Sequence, residues 1–593
     1  MPPRLRRLLP LAGFICLQAV PGCRAERESG AQFDLSERAR MIRAARALIR
    51  GETIGADLCP NRIGQHFVFL YRREGQGAAR IASGSGESLL GAFDQAARPF
   101  RADGPPPVGS TETVKVEVSV EIGPLEGPET LGVRGLDPGV EGLWFPDPSL
   151  ALSADELLSQ GLLDDNGRPR PKEVSDYLAS GRRLDLPNRV PALAGESFQR
   201  LKFESFASIQ GATPVSLYRG NPLPERVTPE SLLAASRRGG DYLIRHQEAG
   251  GDFGYRYLPQ LDSYGKGYNL LRHAGTCYSL LLLYQVTEDV RYLLGAKRGI
   301  ESLLARAKGP REDEEAKDFL CVATSEGREG NLGGSALAAL ALNEYVLATG
   351  DQTWLPKARA LGRFLLHQQE ESGHFLSKYF YTDPPGGQSD SIYYPGEAVL
   401  ALVRLHQTDG DKRWLQAAEA GARWLIETRD AEKADSDLPH DHWLLMALNE
   451  LYALTRTELY LRHGGRIADE IVKAMRRDPE PPDWMGSFYV PPRCTPTSTR
   501  GEGLVAAYYL THVAGAVEND YLESLKSMSQ YVLRCQINEL NGMCLPDPGR
   551  ALGGFRASLT NWEVRIDYVQ HAISMLLGLR EILMEPENAV TAP

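Results

Sequence analysis

Two kinds of helical segment alternate along the C-terminal three fifths of the chain. One kind has an apolar stripe and a charged face, as in PESLLAASRRGGDYLIRHQ, and it occurs six times. The other kind is apolar almost all round, as in GGSALAALALNEYVLATG, and its six copies start near residues 273, 334, 397, 440, 502 and 568. A helix that is apolar on every side must be buried on every side. The pattern predicts an all-α (α/α)6 toroid, a six-hairpin barrel, over residues 228–585.

The connections between these helices are of two lengths. Apolar helices are followed by short turns such as VTED and TGD, whereas amphipathic helices are followed by long, aromatic-rich loops. All the long loops therefore lie on the face where the apolar helices begin. Long ordered loops on a rigid scaffold carry function more often than the scaffold itself. The sequence thus predicts a site at the N-terminal ends of the inner helices.

The region before the toroid has a mixed α+β pattern. SERARMIRAARALIRG repeats apolar residues at helical spacing, and VKVEVSVEIG alternates apolar and polar residues as a half-buried strand does. The prolines of YRGNPLPERVTPES indicate a boundary. We therefore predict an α+β domain over residues 36–222.

This region resembles the AMMECR-type domain. The resemblance rests on the order of GQHFVFLYR, ARIASGSGESLLGAFDQAAR, VKVEVSVEIGPLE and GVEGLWF after the first helix. That family carries an Arg-Gly-Cys-Ile-Gly stretch where this chain has Arg80-Ile81-Ala82-Ser83-Gly84, so its signature cysteine is absent. The resemblance implies a fold and no site residue.

The first 22 residues have the pattern of a secretory signal. Arg4, Arg6 and Arg7 precede an apolar run that is too short to anchor the chain stably in a bilayer. Val20-Pro21-Gly22-Cys23 resembles a bacterial lipobox, with proline in place of the usual residue before glycine. We expect an extracytoplasmic, cell-envelope protein with Cys23 lipidated and a lipid anchor in the membrane; the alternative is a plain secretory signal.

Composition excludes several classes of protein. With 66 Lys and Arg against 77 Asp and Glu, the net charge is −11, so no basic surface for nucleic acid is expected. Eight cysteines in 593 residues do not make a disulfide scaffold, and no pair has the CxxC spacing of a zinc site. We predict neither a metal nor a cofactor.

Acids, arginines and histidines are concentrated in the first turns of the predicted inner helices. Acids there can be simple caps, since a helix N-terminus favours negative charge. Capping does not explain arginines, which need carboxylates or an anionic ligand. We predict the acid–base residues among His571, Asp567, Glu397, Glu502, Asp441 and His273, and the substrate-binding residues among Arg272, Asn269, Arg500, Arg565, Tyr394, His440 and Trp443.

Spacing refines two of these predictions. Asp567 and His571 lie at positions i and i+4 of one helix, so they share a face and could form a hydrogen bond that raises the basicity of the imidazole. His440 and His442 lie two residues apart, so only one of them faces the centre. The Asp567–His571 pair has a structural alternative as an ion pair, and His273 has one as a core histidine.

The second region resembles the six-hairpin toroid enzymes that act on carbohydrates. It is most similar to the N-acylglucosamine 2-epimerase and glucuronyl C5-epimerase type, followed by glycoside hydrolases and lyases. The resemblance is architectural, and fold does not decide the reaction. It implies a carbohydrate-active enzyme on a saccharide, with an acidic, uronate-bearing one among the candidates, acting by epimerisation, elimination or hydrolysis.

A second hypothesis is a surface lipoprotein that binds a glycan or a protein partner and catalyses nothing. Under the enzyme hypothesis, hydrolysis needs two carboxyl groups flanking a bond. Epimerisation or elimination needs a histidine to move a proton and arginines to hold a carboxylate. Prenyl and lanthionine chemistry is disfavoured because the chain lacks both an aspartate-rich metal motif and a Cys-His zinc set.

Overall fold

The structure is a computed structural model. It describes residues 32–103, 111–186, 193, 195–223, 226–314, 317–323, 327–382, 390–515 and 519–585. The predicted signal segment and Cys23 lie outside the described residues. The described chain forms an antiparallel sheet with helices and then a ring of helices, so the predicted fold class is confirmed.

An eight-stranded antiparallel sheet forms the N-terminal domain. Its strands are β1 (Ile63–Glu74), β2 (Arg80–Ser88), β3 (Glu112–Glu126), β4 (Glu141–Phe145), β5 (Leu150–Leu152), β6 (Phe198–Ile209), β7 (Val215–Tyr218) and β8 (Asn221–Pro222). The order is β2-β1-β3-β6-β4-β5, and the β7–β8 hairpin pairs with the C-terminal half of β6. The accompanying helices are α1 (Leu35–Ile49), α2 (Leu89–Ala97), α3 (Thr130–Val133), α4 (Ala154–Ser159) and α5 (Pro171–Leu178).

The two faces of β3 carry different side chains, because successive residues of a strand point to opposite faces. Val114, Val116 and Val118 are buried in an apolar cluster with residues of α1 and α2. Lys115 and Glu117 are equally buried on the other face. There the Nζ atom of Lys115 lies 2.8 Å from Oδ1 of Asp155, and the hydroxyl of Tyr71 donates to Glu117.

We call Tyr71, Lys115, Glu117 and Asp155 the sheet cluster. A loop of the second domain covers it: Cys544 is buried there, with its Sγ atom 4.0 Å from Oδ2 of Asp155. The carbonyl oxygen of Met543 accepts a 2.7 Å hydrogen bond from the amide of Ala79. These contacts join the two domains.

Thirteen helices in the described residues build the second domain. They are α6 (Pro229–Arg245), α7 (Leu270–Thr287), α8 (Val290–Leu304), α9 (Leu332–Thr349), α10 (Leu355–His367), α11 (Tyr394–Asp409), α12 (Lys412–Trp424), α13 (His442–Thr455), α14 (Glu458–Ala474), α15 (Cys494–Val513), α16 (Asn519–Cys535), α17 (Pro548–Ala551) and α18 (Ile566–Met584). All except the short α17 belong to the toroid.

The inner ring is closed. Helix α7 packs on α9, α9 on α11, α11 on α13, α13 on α15, α15 on α18, and α18 returns to α7. The outer helices α6, α8, α10, α12, α14 and α16 pack around this ring. Each inner helix is therefore enclosed by neighbours on both sides and by an outer helix, which explains its all-round apolar surface.

Helix α9 shows how apolar an inner helix is. By length and composition it would qualify as a membrane span, and it alone does so among the residues that the structure describes. Most of it is buried inside the protein, between α7, α10 and α11. Its apolar surface is thus accounted for by the ring.

The two ends of the ring differ as the sequence predicts. At one end, tight turns join inner to outer helices; Gly350 and Gly410 end α9 and α11 with φ of +74° and +77°, in the left-handed region that glycine adopts without strain. At the other end lie the long loops, which form the short strands β9 (Arg256–Leu258), β10 (Ser263–Tyr264), β11 (Ala307–Lys308), β12 (Cys321–Val322), β13 (Glu329–Asn331), β14 (Lys378–Phe380) and β15 (Val564–Arg565). We call this end, where the inner helices begin, the mouth.

One predicted helix start is wrong. Helix α15 begins at Cys494, eight residues before the predicted start near 502, so Arg500 and Glu502 lie in its second and third turns. Pro496 stands in the first turn, where proline removes no intrahelical hydrogen bond. The longer helix carries Glu502 deeper into the ring than a first-turn residue would lie.

Candidate active site

Three side chains meet at the centre of the mouth, from three inner helices. We call His442 of α13, Glu502 of α15 and His571 of α18 the central cluster. Nδ1 of His571 donates a 2.7 Å hydrogen bond to Oε2 of Glu502, and Nε2 of His442 lies 3.7 Å from the same oxygen. The two imidazole rings are 5.3 Å apart between centroids and nearly perpendicular. The packing of α13 on α15 and of α15 on α18 brings these residues together, although they are far apart in the sequence.

The surroundings shift the pKa values of the two histidines in opposite directions. Burial opposes the charged form of His571, but the charge of Glu502 and its hydrogen bond outweigh burial and raise the pKa of His571. Burial lowers the pKa of His442 well below its ordinary value, and the positive charge of His571 lowers it further. The surroundings therefore favour the protonated form of His571, which is paired with Glu502, and the neutral form of His442.

His442 has an unmet hydrogen-bonding capacity. It is 4 % exposed, and neither ring nitrogen has a hydrogen-bond partner among the described residues. A buried polar group without a partner is costly, and such groups are uncommon in native proteins. The described residues thus leave the hydrogen-bonding capacity of this ring unused.

The central cluster also has the composition of a metal site. One ligand atom of each of its three residues lies within 4.8 Å of the other two. However, Nδ1 of His571 and Oε2 of Glu502 are at hydrogen-bond distance, whereas two ligands of one tetrahedral zinc lie roughly 3.3 Å apart. The arrangement is that of a hydrogen-bonded acid–base pair. The sequence analysis, which names no metal ligand, did not foresee the grouping.

Asp567 does not bond to His571, so the predicted i, i+4 pair is wrong. Arg565 donates two hydrogen bonds to the carboxylate of Asp567, from Nε at 2.6 Å and from Nη2 at 2.9 Å. Nε of Arg272 lies 3.2 Å from the same carboxylate. Arg565 and Arg272 hold this carboxylate through charge-assisted pairs, and His571 is engaged by Glu502 instead. Arg272 and Arg565, whose positions capping does not explain, are thus paired with the carboxylate of Asp567.

Arg500 is different because it has no carboxylate partner among the described residues. Its Nε donates to Nδ1 of His440 at 2.8 Å, and Nη2 donates to the hydroxyl of Tyr489 at 2.7 Å. Its guanidinium lies over the rings of Phe488 and Tyr489. Burial, and then the charge of Arg500, lower the pKa of His440 to about 4, so that histidine is neutral. The positive charge of Arg500 stays uncompensated at the mouth.

Glu397 and Asp441 lie deeper than the central cluster. Burial, followed by the charge of Asp441, raises the pKa of Glu397 well above its usual range, and Oε2 of Glu397 has no hydrogen-bond partner. The carboxylate fits only because residue 333 is glycine: a Cβ there would lie 2.2 Å from Oε2 of Glu397. Glu397 is therefore enclosed, and its surroundings favour the neutral form of its carboxyl group.

Asp441 is the N-cap of α13, in agreement with the alternative that acids at helix starts are simple caps. It accepts a 3.1 Å hydrogen bond from the amide of Leu444. Burial raises its pKa to about 6 although Arg429 lies 3.5 Å away. Arg429 belongs to a π-helical turn, Leu425–Arg429, that follows α12. The turn was not foreseen, and no apolar pattern signals it.

The remaining predicted residues lie around the cluster in structural positions. His273 is fully buried: its Nε2 donates to the carbonyl oxygen of Gly299 at 2.7 Å, and its Nδ1 accepts from Tyr268. Asn269 caps α7 by accepting from the amide of Arg272. The structure therefore places His273 and Asn269 outside the central cluster, with their polar atoms engaged by the protein.

Aromatic rings border the cluster. Trp443 is buried, with its ring centroid 6.2 Å from that of His571. Tyr394 is half-buried beside Gly333 and Glu397. Its neighbour Tyr393, which the sequence analysis did not select, is 45 % exposed and its ring centroid lies 5.9 Å from that of His442. Both tyrosines stood in the same first-turn motif, and which one faces the centre depends on the helix start.

Comparisons with known proteins give architecture alone. No protein-family model and no curated protein matches the chain. Among solved structures, a family 76 α-1,6-mannanase from Salegentibacter sp. is 14 % identical, over 59 % of this chain and 99 % of its own, with a TM-score of 0.43.

Two further solved structures show the same weak likeness. The cellobiose 2-epimerase of Bacillus thermoamylovorans is 13 % identical, over 59 % of this chain and 99 % of its own, with a TM-score of 0.45. A family 76 glycoside hydrolase of Bacteroides thetaiotaomicron is 11 % identical, over 79 % and 96 %, also with a TM-score of 0.45. Likeness at this level assigns neither a family nor an activity to the chain.

Proposed function

We propose that the protein is a carbohydrate-active enzyme that moves a proton at a sugar carbon next to a carboxylate or carbonyl group, by epimerisation or elimination. The observation that carries the proposal is the central cluster. Its two histidines lie side by side and their pKa values are shifted in opposite directions, which favours one as a base and the other as an acid at the same pH. His442 is the base and His571, oriented by Glu502, is the acid.

The chemistry follows from the two imidazoles. The unpartnered ring of His442 accepts the proton from the sugar carbon, and the charge that develops on the adjacent carbonyl or carboxylate oxygens is stabilised by nearby cations. His571 then donates its proton, to the opposite side of the carbon in an epimerisation or to the leaving oxygen in an elimination. Glu502 holds His571 in the protonated form between turnovers.

The charge of the mouth supports an acidic substrate. Arg272 and Arg565 share the single carboxylate of Asp567, which leaves one positive charge, and Arg500 adds another. A carboxylate on the sugar would complete the coordination of Arg500 with the charge-assisted hydrogen bonds that guanidinium groups make to carboxylates.

Hydrolysis is supported less well by the same residues. A glycosidase needs a carboxylic acid and a carboxylate facing a bond across an accessible space. Glu397 and Asp441 are both enclosed, while Glu502 is bonded to His571 and Asp567 to two arginines. The described carboxyl groups of the mouth are thus occupied or inaccessible.

The proposed location remains the cell envelope, with the chain anchored through lipid on Cys23. It is supported by the signal-like pattern of residues 1–22 and the lipobox-like Val20-Pro21-Gly22-Cys23. A lipid anchor would place the mouth near the glycans of the envelope. The AMMECR-type assignment of the N-terminal domain stays a prediction from the sequence.

Exchange of carbon-bound hydrogen with solvent tests the proposed reaction. The protein is incubated in D2O with uronic acids, uronate-containing oligosaccharides, cellobiose and mannobiose, and proton NMR follows loss of the signal from hydrogen beside the carbonyl or carboxylate. We expect exchange with an acidic member, slowed roughly 10²–10⁴-fold by His571→Asn, because the mutation removes the acid. His512→Asn is the matched control, since His512 lies on inner helix α15 at the opposite end of the ring.

New reducing ends without exchange would replace the proposal with hydrolysis. Binding of a member with neither exchange nor cleavage would support the non-catalytic glycan binder. Equal activity of His571→Asn and His512→Asn would show that the central cluster is not the catalytic site.

A further inference from the structure

A second cavity lies beside the mouth, between the end of α6 and the loop that leads to α7. Its volume is about 350 Å³, at the lower end of the roughly 300–1,000 Å³ of small-molecule sites. Phe253, Tyr255, Tyr264 and Tyr268 contribute to its lining, together with His246. The size suits one sugar unit, and the aromatic wall offers flat apolar surface with polar edges.

Tyr264 presents the most accessible ring of this wall. It is 51 % exposed, and its ring lies so close to Gly254 that a Cβ there would be 2.5 Å from Cε1 of the ring. Its hydroxyl donates a 2.8 Å hydrogen bond to Nδ1 of His246. The ring is therefore held in one orientation although half of it faces solvent, so little freedom is lost when a ligand stacks on it.

His246 is itself fixed in place. Nε2 of His246 donates to the carbonyl oxygen of Arg550 at 2.9 Å, which leaves Nδ1 as the acceptor for Tyr264. Its ring stacks on Tyr242 with centroids 4.0 Å apart. The side chain that fixes Tyr264 thus lies at the C-terminal end of helix α6. Packing alone does not explain why an exposed aromatic ring is held in this way.

The polar lining suits hydroxyl groups. Glu248 is exposed, and its carboxylate has no partner among the residues that the structure describes. Asp252 is held by Arg306 and Ser302 at the cavity edge. Sugar hydroxyl groups both donate and accept hydrogen bonds, so carboxylates beside an aromatic face match a saccharide better than an apolar ligand.

Tyr255 connects this cavity with the mouth. It lines the cavity, and its hydroxyl accepts a hydrogen bond from Nη1 of Arg272, whose Nε contacts Asp567. Asp567 lies one turn before His571 on α18. A single arginine–aspartate contact therefore separates the wall of the cavity from the central cluster.

We propose that this cavity is a binding subsite for a second sugar unit, stacked on Tyr264, and that the substrate is accordingly an oligosaccharide. The inference rests on the proposed function for the reaction itself, but the binding of a saccharide in the cavity does not require turnover. It assigns a role in recognition to Tyr264 and Glu248, residues remote from the acid–base chemistry.

Binding to the catalytically disabled His571→Asn protein tests the subsite. Isothermal titration with cellotetraose, mannotetraose and tetragalacturonate is compared between this protein and versions that also carry Tyr264→Ala or Tyr264→Phe. We expect at least one tetrasaccharide to bind, about tenfold more weakly with Tyr264→Ala and within twofold of the parent with Tyr264→Phe, because phenylalanine keeps the ring. Leu261→Ala is the control for disturbing the exposed loop, since Leu261 is 72 % exposed and does not line the cavity.

Equal affinities for all versions, or no binding of any tetrasaccharide, would overturn the subsite. Weakening by Leu261→Ala as large as that by Tyr264→Ala would overturn it too, because the effect would belong to the loop fold. Tyrosine-dependent binding without hydrogen exchange in the unmutated protein would sustain the subsite while the proposed reaction fails. The two proposals are thus tested separately.

Discussion

The sheet cluster and the central cluster are both buried groups of charged residues, yet they differ in how their charges are compensated. In the sheet cluster Lys115 faces Asp155 at 2.8 Å, and Glu117 accepts from Tyr71. At the mouth, the nitrogens of His442 lack partners and Arg500 lacks a carboxylate among the described residues. Lys115 and Asp155 form an ion pair within the sheet cluster, and burial raises the pKa of Glu117 to about 7, which favours its neutral form. We therefore expect the sheet cluster to act in stability and the central cluster in function.

The difference also appears in what covers each cluster. The sheet cluster is closed by Cys544 and its neighbours, from a loop that belongs to the other domain. The central cluster is bordered by Tyr393, which is 45 % exposed, and by long loops. Mutations should accordingly change the stability of the protein in the first case and its catalysis in the second.

Lys115→Met should have the largest effect, on stability. Removing the lysine leaves Asp155 buried without its counterion, which costs about 3–5 kcal/mol in the free energy of unfolding. Urea unfolding followed by tryptophan fluorescence measures the loss. Lys172→Met is the control, because the Lys172–Asp176 pair is fully exposed and its loss should leave unfolding unchanged. A Lys115→Met protein as stable as the control would remove the contrast between the two clusters.

Glu502→Gln should have the next largest effect, on the pH dependence of turnover. Because Glu502 raises the pKa of His571, the imidazolium persists above its ordinary pKa near 6.5 and is lost as the pH rises through the raised value. Without the carboxylate charge, the basic limb of the pH–rate profile should move to lower pH, and turnover at neutral pH should fall by roughly a hundredfold. NMR titration of His571 gives an independent measure of the same shift.

The pair also makes a small contribution to stability, with a definite sign. Protonated His571 is stabilised by Glu502 in the folded protein, so the contribution is fully present below about pH 6.5 and disappears as the pH rises through the raised pKa. Glu502→Gln should remove this dependence. An unchanged pH–rate profile in the mutant would mean that His571 is not the acid.

Arg500→Lys should have the smallest effect, on binding. Lysine keeps the charge but loses the planar pair of donors, so KM for an acidic sugar should rise about tenfold while stability is unchanged. Arg429→Gln is the informative comparison, because Arg429 already pairs with Asp430 and Asp441. We expect this substitution to lower the melting temperature instead. If Arg500→Lys destabilised the protein and left KM unchanged, its charge would be structural like that of the sheet cluster.

The sequence was sufficient for the ring and for the end of the ring at which the long loops lie. Six all-round apolar segments and the contrast between short and long connections predict the closed inner ring and the mouth, and the structure confirms both. Partners within the site were less predictable. The i, i+4 spacing offered Asp567 to His571, but Glu502, 69 residues away in sequence, takes that place. Local spacing contains no information on which residues the neighbouring helix presents.

The errors have a common physical cause. Helix α15 starts earlier than predicted because a proline in its first turn does not interrupt it, and His273 turns into a core position because Gly299 offers a carbonyl oxygen from α8. Both outcomes depend on contacts between elements that are distant in the sequence. The pattern of apolar and polar residues predicts which helices are inner and which are outer. The orientation of single side chains depends on packing between helices.

The closure of the ring by α18 has a consequence for biosynthesis. Helix α18 is synthesised after the other helices of the toroid, yet it carries His571 and Asp567 and contacts α6 and α7, with which the toroid begins. A chain released before α18 would leave the apolar sides of α7 and α15 exposed to solvent and would lack His571 of the central cluster. We therefore expect a prematurely terminated chain to be prone to proteolysis.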